Sequence, residues 1–141
     1  MGRMFGPPGF TTVIVKKLQE HIDWRYSNPP QYYRGYVPSQ ALLSVSDLIP
    51  AENLRLRQNA SPTVRDFVEF ARKNPDAYFL LYVIGRDRED ERVGIEGACL
   101  PEEKPDTMKL LKELEKRAKG KPDSYDRVRI RGKMYICSWW D

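Results

Sequence analysis

Arg127, Arg129 and Arg131 recur at every second position near the C-terminus, with Tyr125 and Trp140 close by in sequence. In a strand that spacing puts the three guanidinium groups on one face. Cations engage phosphate and aromatic rings stack on bases, so a basic and aromatic platform of this kind is a nucleic-acid-binding pattern. The same spacing also suits the plain solvent face of an antiparallel sheet, with arginine stems lying over Ile136.

A second gathering lies between Trp24 and Tyr36: Trp24, Arg25, Tyr26, Pro29, Pro30, Tyr32, Tyr33, Arg34 and Tyr36. Tyrosine offers rigid amphipathic contact area and arginine a planar fork of donors, and both are enriched where proteins bind a partner. The segment reads as a long loop, since its prolines forbid regular helix. Its competing role is structural, with tyrosines folded down over an edge of the core. Candidate binding residues are therefore Arg127, Arg129, Arg131 and Trp140 on the hairpin, with Tyr32, Tyr33, Arg34 and Tyr36 on the loop.

Carboxylates supply a third set. Pro75-Asp76 precedes an apolar run, Glu96 lies in the next one, and Glu102-Glu103-Lys104 follows. This order resembles the divalent-metal nucleases of the restriction-endonuclease type, in which carboxylates hold Mg²⁺ and a lysine supports the attacking water. The chain departs from that pattern: Pro101 and Pro105 flank the Glu-x-Lys, which belongs inside a strand. Asp76, Glu96, Glu102 and Lys104 are the residues such a site would need.

Other chemistries lack their parts. There is no P-loop and no dinucleotide-binding glycine motif, and Gly94-Ile-Glu-Gly97 is too short for one. No nucleophile elbow is present. The acidic run Asp87 to Glu91 lacks calcium-site spacing and reads as a solvated hairpin tip. Cys99 and Cys137 form no Cys-x-x-Cys pair, so they read as two buried thiols, with neither a disulfide framework nor structural zinc. His21, beside Glu20 and Asp23, reads as a solvated helix-surface side chain. No cofactor and no metal are expected.

The elements that must hold these residues follow from periodicity. A helix is predicted from Thr12 to about Tyr26, and a short one after Ser39. Ser61 and Pro62 open another, with Val64, Phe67, Val68 and Ala71 on one face. Ala77 to Ile84 and Val93 to Leu100 read as paired strands. A helix after Asp106 or Thr107 carries Met108, Leu111, Leu114 and Ala118 and closes at Gly120. The last element is a hairpin turning at Gly132-Lys133 and pairing Val128 with Cys137. Strand pairs alternating with helices predict an α+β fold: an antiparallel sheet with helices mainly on one face, a two-layer sandwich.

With 141 residues, 40% of them hydrophobic, one domain spanning 1–141 is expected, residues 1–11 forming a flexible N-terminal segment. The net charge is +4, and residues 105–141 hold ten Lys/Arg against six Asp/Glu. That balance permits DNA or RNA without demanding either. No apolar run approaches a membrane span and no signal sequence opens the chain, so a soluble cytoplasmic protein with no membrane partner is expected. The charge- and proline-rich composition is compatible with a thermophilic source. The leading expectation is a non-enzymatic nucleic-acid-binding protein. The alternative is a module that pairs with another protein or with itself, and a metal-dependent nuclease comes third.

Overall fold

A computed structural model describes residues 4–141. Five strands form one antiparallel sheet: β1 (Tyr32–Pro38), β2 (Tyr78–Ile84), β3 (Arg92–Pro101), β4 (Ser124–Ile130) and β5 (Lys133–Trp139), in the order β1-β2-β3-β5-β4. The helices are α1 (Thr11–Lys17), α2 (Ser39–Val45), α3 (Ala51–Leu54), α4 (Val64–Lys73) and α5 (Thr107–Glu115). They cover one face of the sheet. Ile14, Leu18, Leu42, Val45, Phe67 and Leu111 pack there against Val37, Phe79, Leu81 and Leu100 in the main core. The α+β expectation, with helices mainly on one face, holds. No helix is long and apolar enough to cross a membrane among the described residues.

Local chemistry sets the boundaries, and several differ from the sequence expectation. Helix α4 is capped by Thr63, not Ser61. The Thr63 hydroxyl accepts from the Asp66 N–H at 3.1 Å, while Asp66 accepts from the Thr63 N–H at 3.0 Å. That reciprocal box satisfies two otherwise orphaned donors. The stretch expected as one helix to Tyr26 is α1 followed by two 3₁₀ turns, Gln19–His21 and Trp24–Tyr26. The α5 helix stops at Glu115, well before Gly120, whose N–H is drawn to the Ala60 carbonyl.

Two corrections bear on function. Tyr32 to Pro38 is not loop but an edge strand, paired with β2 along its length. The chain before it folds back along the free edge. The Asp23 N–H donates to the Arg34 carbonyl at 2.7 Å, and the Ser27 hydroxyl accepts from the Arg34 N–H at 3.2 Å. Gly35 permits this crossing: a Cβ there would stand 2.1 Å from the His21 carbonyl oxygen. The thiol expectation is overturned too. Cys99 and Cys137 sit directly opposite one another on β3 and β5, and their sulfurs are joined as a disulfide. Their spacing of 38 residues hid a cross-strand neighbourhood that only the β3–β5 pairing creates.

The C-terminal hairpin turns at Arg131-Gly132, one residue earlier than expected. Both have positive φ, 50° and 82°, the pair of values a two-residue turn of matching twist needs. Val128 consequently faces Tyr135, and Asp126 faces Cys137. The pairing moves by two residues, so every side chain keeps its predicted face.

Candidate nucleic-acid interface

The face of the sheet away from the helices is concave and aromatic. Tyr32, Arg34 and Tyr36 of β1 point to it, with Tyr78, Leu80 and Tyr82 of β2, Cys99 of β3, Tyr135, Cys137 and Trp139 of β5, and Asp126, Val128 and Ile130 of β4. Residues from all five strands line one cavity of about 170 Å³ there, among them Tyr36, Leu80, Gly97, Asp126, Val128 and Trp139. A flat sheet would hold its edge strands about four strand spacings apart, near 19 Å. Tyr36 and Val128, from opposite edges, instead share the cavity and a small apolar cluster with the disulfide, Ile130, Tyr78 and Tyr135. The sheet is therefore strongly coiled around this face.

A bulge aims one more group at it. Leu80 pairs with Gly97 and Leu81 with Ile95, leaving Glu96 as the extra residue of β3. Bulges re-aim side chains in this way. Glu96 is half-buried, and Arg34, Tyr32 and Tyr36 lie within its electrostatic reach. Burial pushes its carboxyl above the usual range, Arg34 opposes that, and Asp141 adds to it. The phenols of Tyr32 and Tyr36 are likewise raised, first by burial.

Arg34 occupies the centre of this arrangement. Its guanidinium lies 5.8 Å from the Trp139 ring centre and 6.0 Å from that of Tyr26. It makes no ion pair among the described residues. Next to it an open groove of about 580 Å³ runs between the 3₁₀ turns and the hairpin tip. Trp24, Arg25, Tyr36, Arg129 and Arg131 line it together with Glu20 and Asp23, and Asp23 holds Arg25 in an ion pair at 3.0 Å. Trp24 and Tyr26 are 50% and 58% exposed, unusual for rings of that size, and both belong to the turn at the groove.

The sequence-predicted residues thus divide. Arg129, Arg131, Arg34 and Tyr36 come together around the groove and the concave face, and Tyr32 stacks on Tyr82 farther along it. Three do not join them. Trp140 is buried in the core, edge-on to Phe67, with its indole N–H donating to the Gly120 carbonyl at 3.0 Å. Its ring is closed to any base. Tyr33 faces the helices and meets Trp24 edge-on. Arg127 is held by both oxygens of Glu102, at 2.6 and 3.1 Å. Trp24, Tyr26 and Trp139 enter the site instead. The alternation of Tyr32, Arg34 and Tyr36 was the signal that could have revealed the strand.

The nuclease constellation is dispersed. Lys104 pairs with Asp76 at 3.1 Å, Glu102 is engaged by Arg127, and Glu96 stands on the concave face. No group of three or more His, Cys, Asp or Glu side chains suited to a metal ion occurs among the described residues. His21, expected as a solvated helix-surface side chain, instead ends a 3₁₀ turn with its side chain only 12% exposed and its Nδ1 buried without a hydrogen-bond partner.

No protein-family model, curated protein or solved structure matches this chain.

Proposed function

We propose that this protein binds single-stranded nucleic acid without cleaving it, along the groove between the 3₁₀ turns and the hairpin tip and onto the adjoining concave face. The observation that carries this reading is the position of Arg34. A guanidinium pinned between Trp139 and Tyr26, with no carboxylate in ion-pair contact, is open to a phosphate. Arg129 and Arg131 line the groove at the hairpin tip opposite Glu20 and Asp23, and neither arginine makes an ion pair among the described residues. Exposed Trp24 and Tyr26 beside them offer stacking surfaces for bases. A duplex hides its base faces, so exposed stacking rings favour a single strand.

Fluorescence anisotropy with labelled single-stranded and duplex oligonucleotides tests this across salt concentrations. Three engaged arginines predict a slope of log K against log salt near −2, from about −0.7 per neutralised phosphate on single strands. R129A/R131A is expected to flatten that slope by about 1.4. W24A is expected to weaken binding by about 1–3 kcal/mol, the range for one lost stacking ring. Affinity indifferent to salt, or preference for duplex, would overturn the reading.

A further inference from the structure

The cavity on the concave face has a shape and polarity of its own. At about 170 Å³ it is smaller than the roughly 300–1,000 Å³ of sites that enclose a whole small ligand. It has room for a ring system whose remainder stays outside. The walls are flat or apolar: Tyr36, Leu80, Val128, Trp139 and the Cys99–Cys137 disulfide. The Ser138 hydroxyl is turned away toward the Ala98 carbonyl. That leaves the Asp126 carboxylate on the exposed edge strand, the Tyr36 phenol and the Trp139 indole N–H as the polar side-chain groups of the lining. Asp126 makes no ion pair among the described residues, and its one side-chain partner is Ser124, which donates to one oxygen at 3.0 Å. A carboxylate only accepts, so a ring seated here must offer N–H donors along one edge. Arg34 lies against Trp139, one wall of the cavity, 5.8 Å from its ring centre.

We infer that this cavity takes one unstacked nucleobase and that Asp126 selects guanine. Guanine carries two neighbouring donors, the ring N1–H and the exocyclic amino group, which match the two oxygens of one carboxylate. Adenine and cytosine present an amino group but no adjacent ring N–H. Thymine and uracil present a ring N–H with carbonyl oxygens on both sides, which a carboxylate repels. The inference rests on the single-strand reading above and deepens it.

The test uses the full chain and labelled seven-nucleotide thymidine strands whose central base is guanine, hypoxanthine, adenine or cytosine. Hypoxanthine lacks only the amino group, so the comparison needs no protein variant. Guanine is expected to bind about tenfold tighter than hypoxanthine, the lower part of the range for a well-made two-point base contact. D126N, whose amide sets a donor where an acceptor stood, is expected to bring that ratio near one; circular dichroism checks its fold. Equal affinity for all four strands would overturn the guanine assignment and leave the single-strand reading standing. A guanine preference that persists in D126N would overturn the role of Asp126. No binding of any strand at low salt would overturn both readings.

Discussion

Arg34 and Glu96 occupy the same surface yet arrive there by different routes. Arg34 follows the ordinary alternation of a strand, and Tyr32, Arg34 and Tyr36 could be read as one face once the strand itself was recognised. The prolines at 29, 30 and 38 obscured it. Glu96 owes its place to the bulge, which the glycines at 94 and 97 mark without saying which side chain it re-aims. Its raised carboxyl has a consequence for stability. The folded state favours the protonated form, so the stability linked to Glu96 is full below the unfolded glutamate value, about 4.3, and is lost as pH rises through the folded value. E96Q is neutral throughout. It is expected to melt higher than the parent at pH 7 and no higher at pH 4. Thermal unfolding followed by circular dichroism across that range checks the sign, and a variant destabilised equally at both values would refute it.

At the level of elements, the helix–strand–strand–helix–strand–strand order from residue 61 was legible, because apolar periods of two and 3.6 are strong there. The first sixty residues were not, because tertiary partners decide their conformation. Glu91 shows this. Counted in sequence as part of a solvated charged tip, it is buried, and its carboxylate accepts from the Gly9 and Thr11 N–H groups and the Thr11 hydroxyl. It thereby fixes the start of α1. Asn53 does similar work for β3. Fully buried, its side-chain amide donates to the Val93 carbonyl at 2.7 Å and its oxygen accepts from the Val93 N–H at 2.8 Å. Strand β5 reaches only as far as Gly97, so Asn53 stands in for the strand that is missing beside Val93. N53A would leave two buried backbone groups unpaired, at about 1–3 kcal/mol each. The expected loss is about 3 kcal/mol in urea unfolding with an unchanged m-value. A loss under about 0.5 kcal/mol would mean that water replaces the amide.

For the whole molecule, the sheet is held together by sequence-distant contacts that its linear order does not advertise. The disulfide joins residues 38 positions apart. A loop of that length constrains the unfolded chain by about 4 kcal/mol in the chain-entropy account, with measured values commonly about 2–4. The C99S/C137S double variant, or the parent under a thiol reductant, is expected to lose about 2–4 kcal/mol in urea unfolding. Identical transitions with and without reductant would show that the bond contributes nothing to the fold. The two candidate surfaces met in sequence, one near residue 30 and one near residue 130, were each partly visible. Their convergence was not, since it arises from coiling that brings the faces of β1 and β4 toward one cavity.

That coiling makes the cavity a gauge of curvature. Every strand contributes a wall, so its width is not the property of any one loop but of the accumulated twist of the sheet. A small change in twist at each of four strand junctions adds up across the sheet, and a guest between Tyr36 and Val128 resists all four at once. Recognition and stiffness are then one mechanical quantity in this protein: the tighter the grip, the less freely the sheet can unroll.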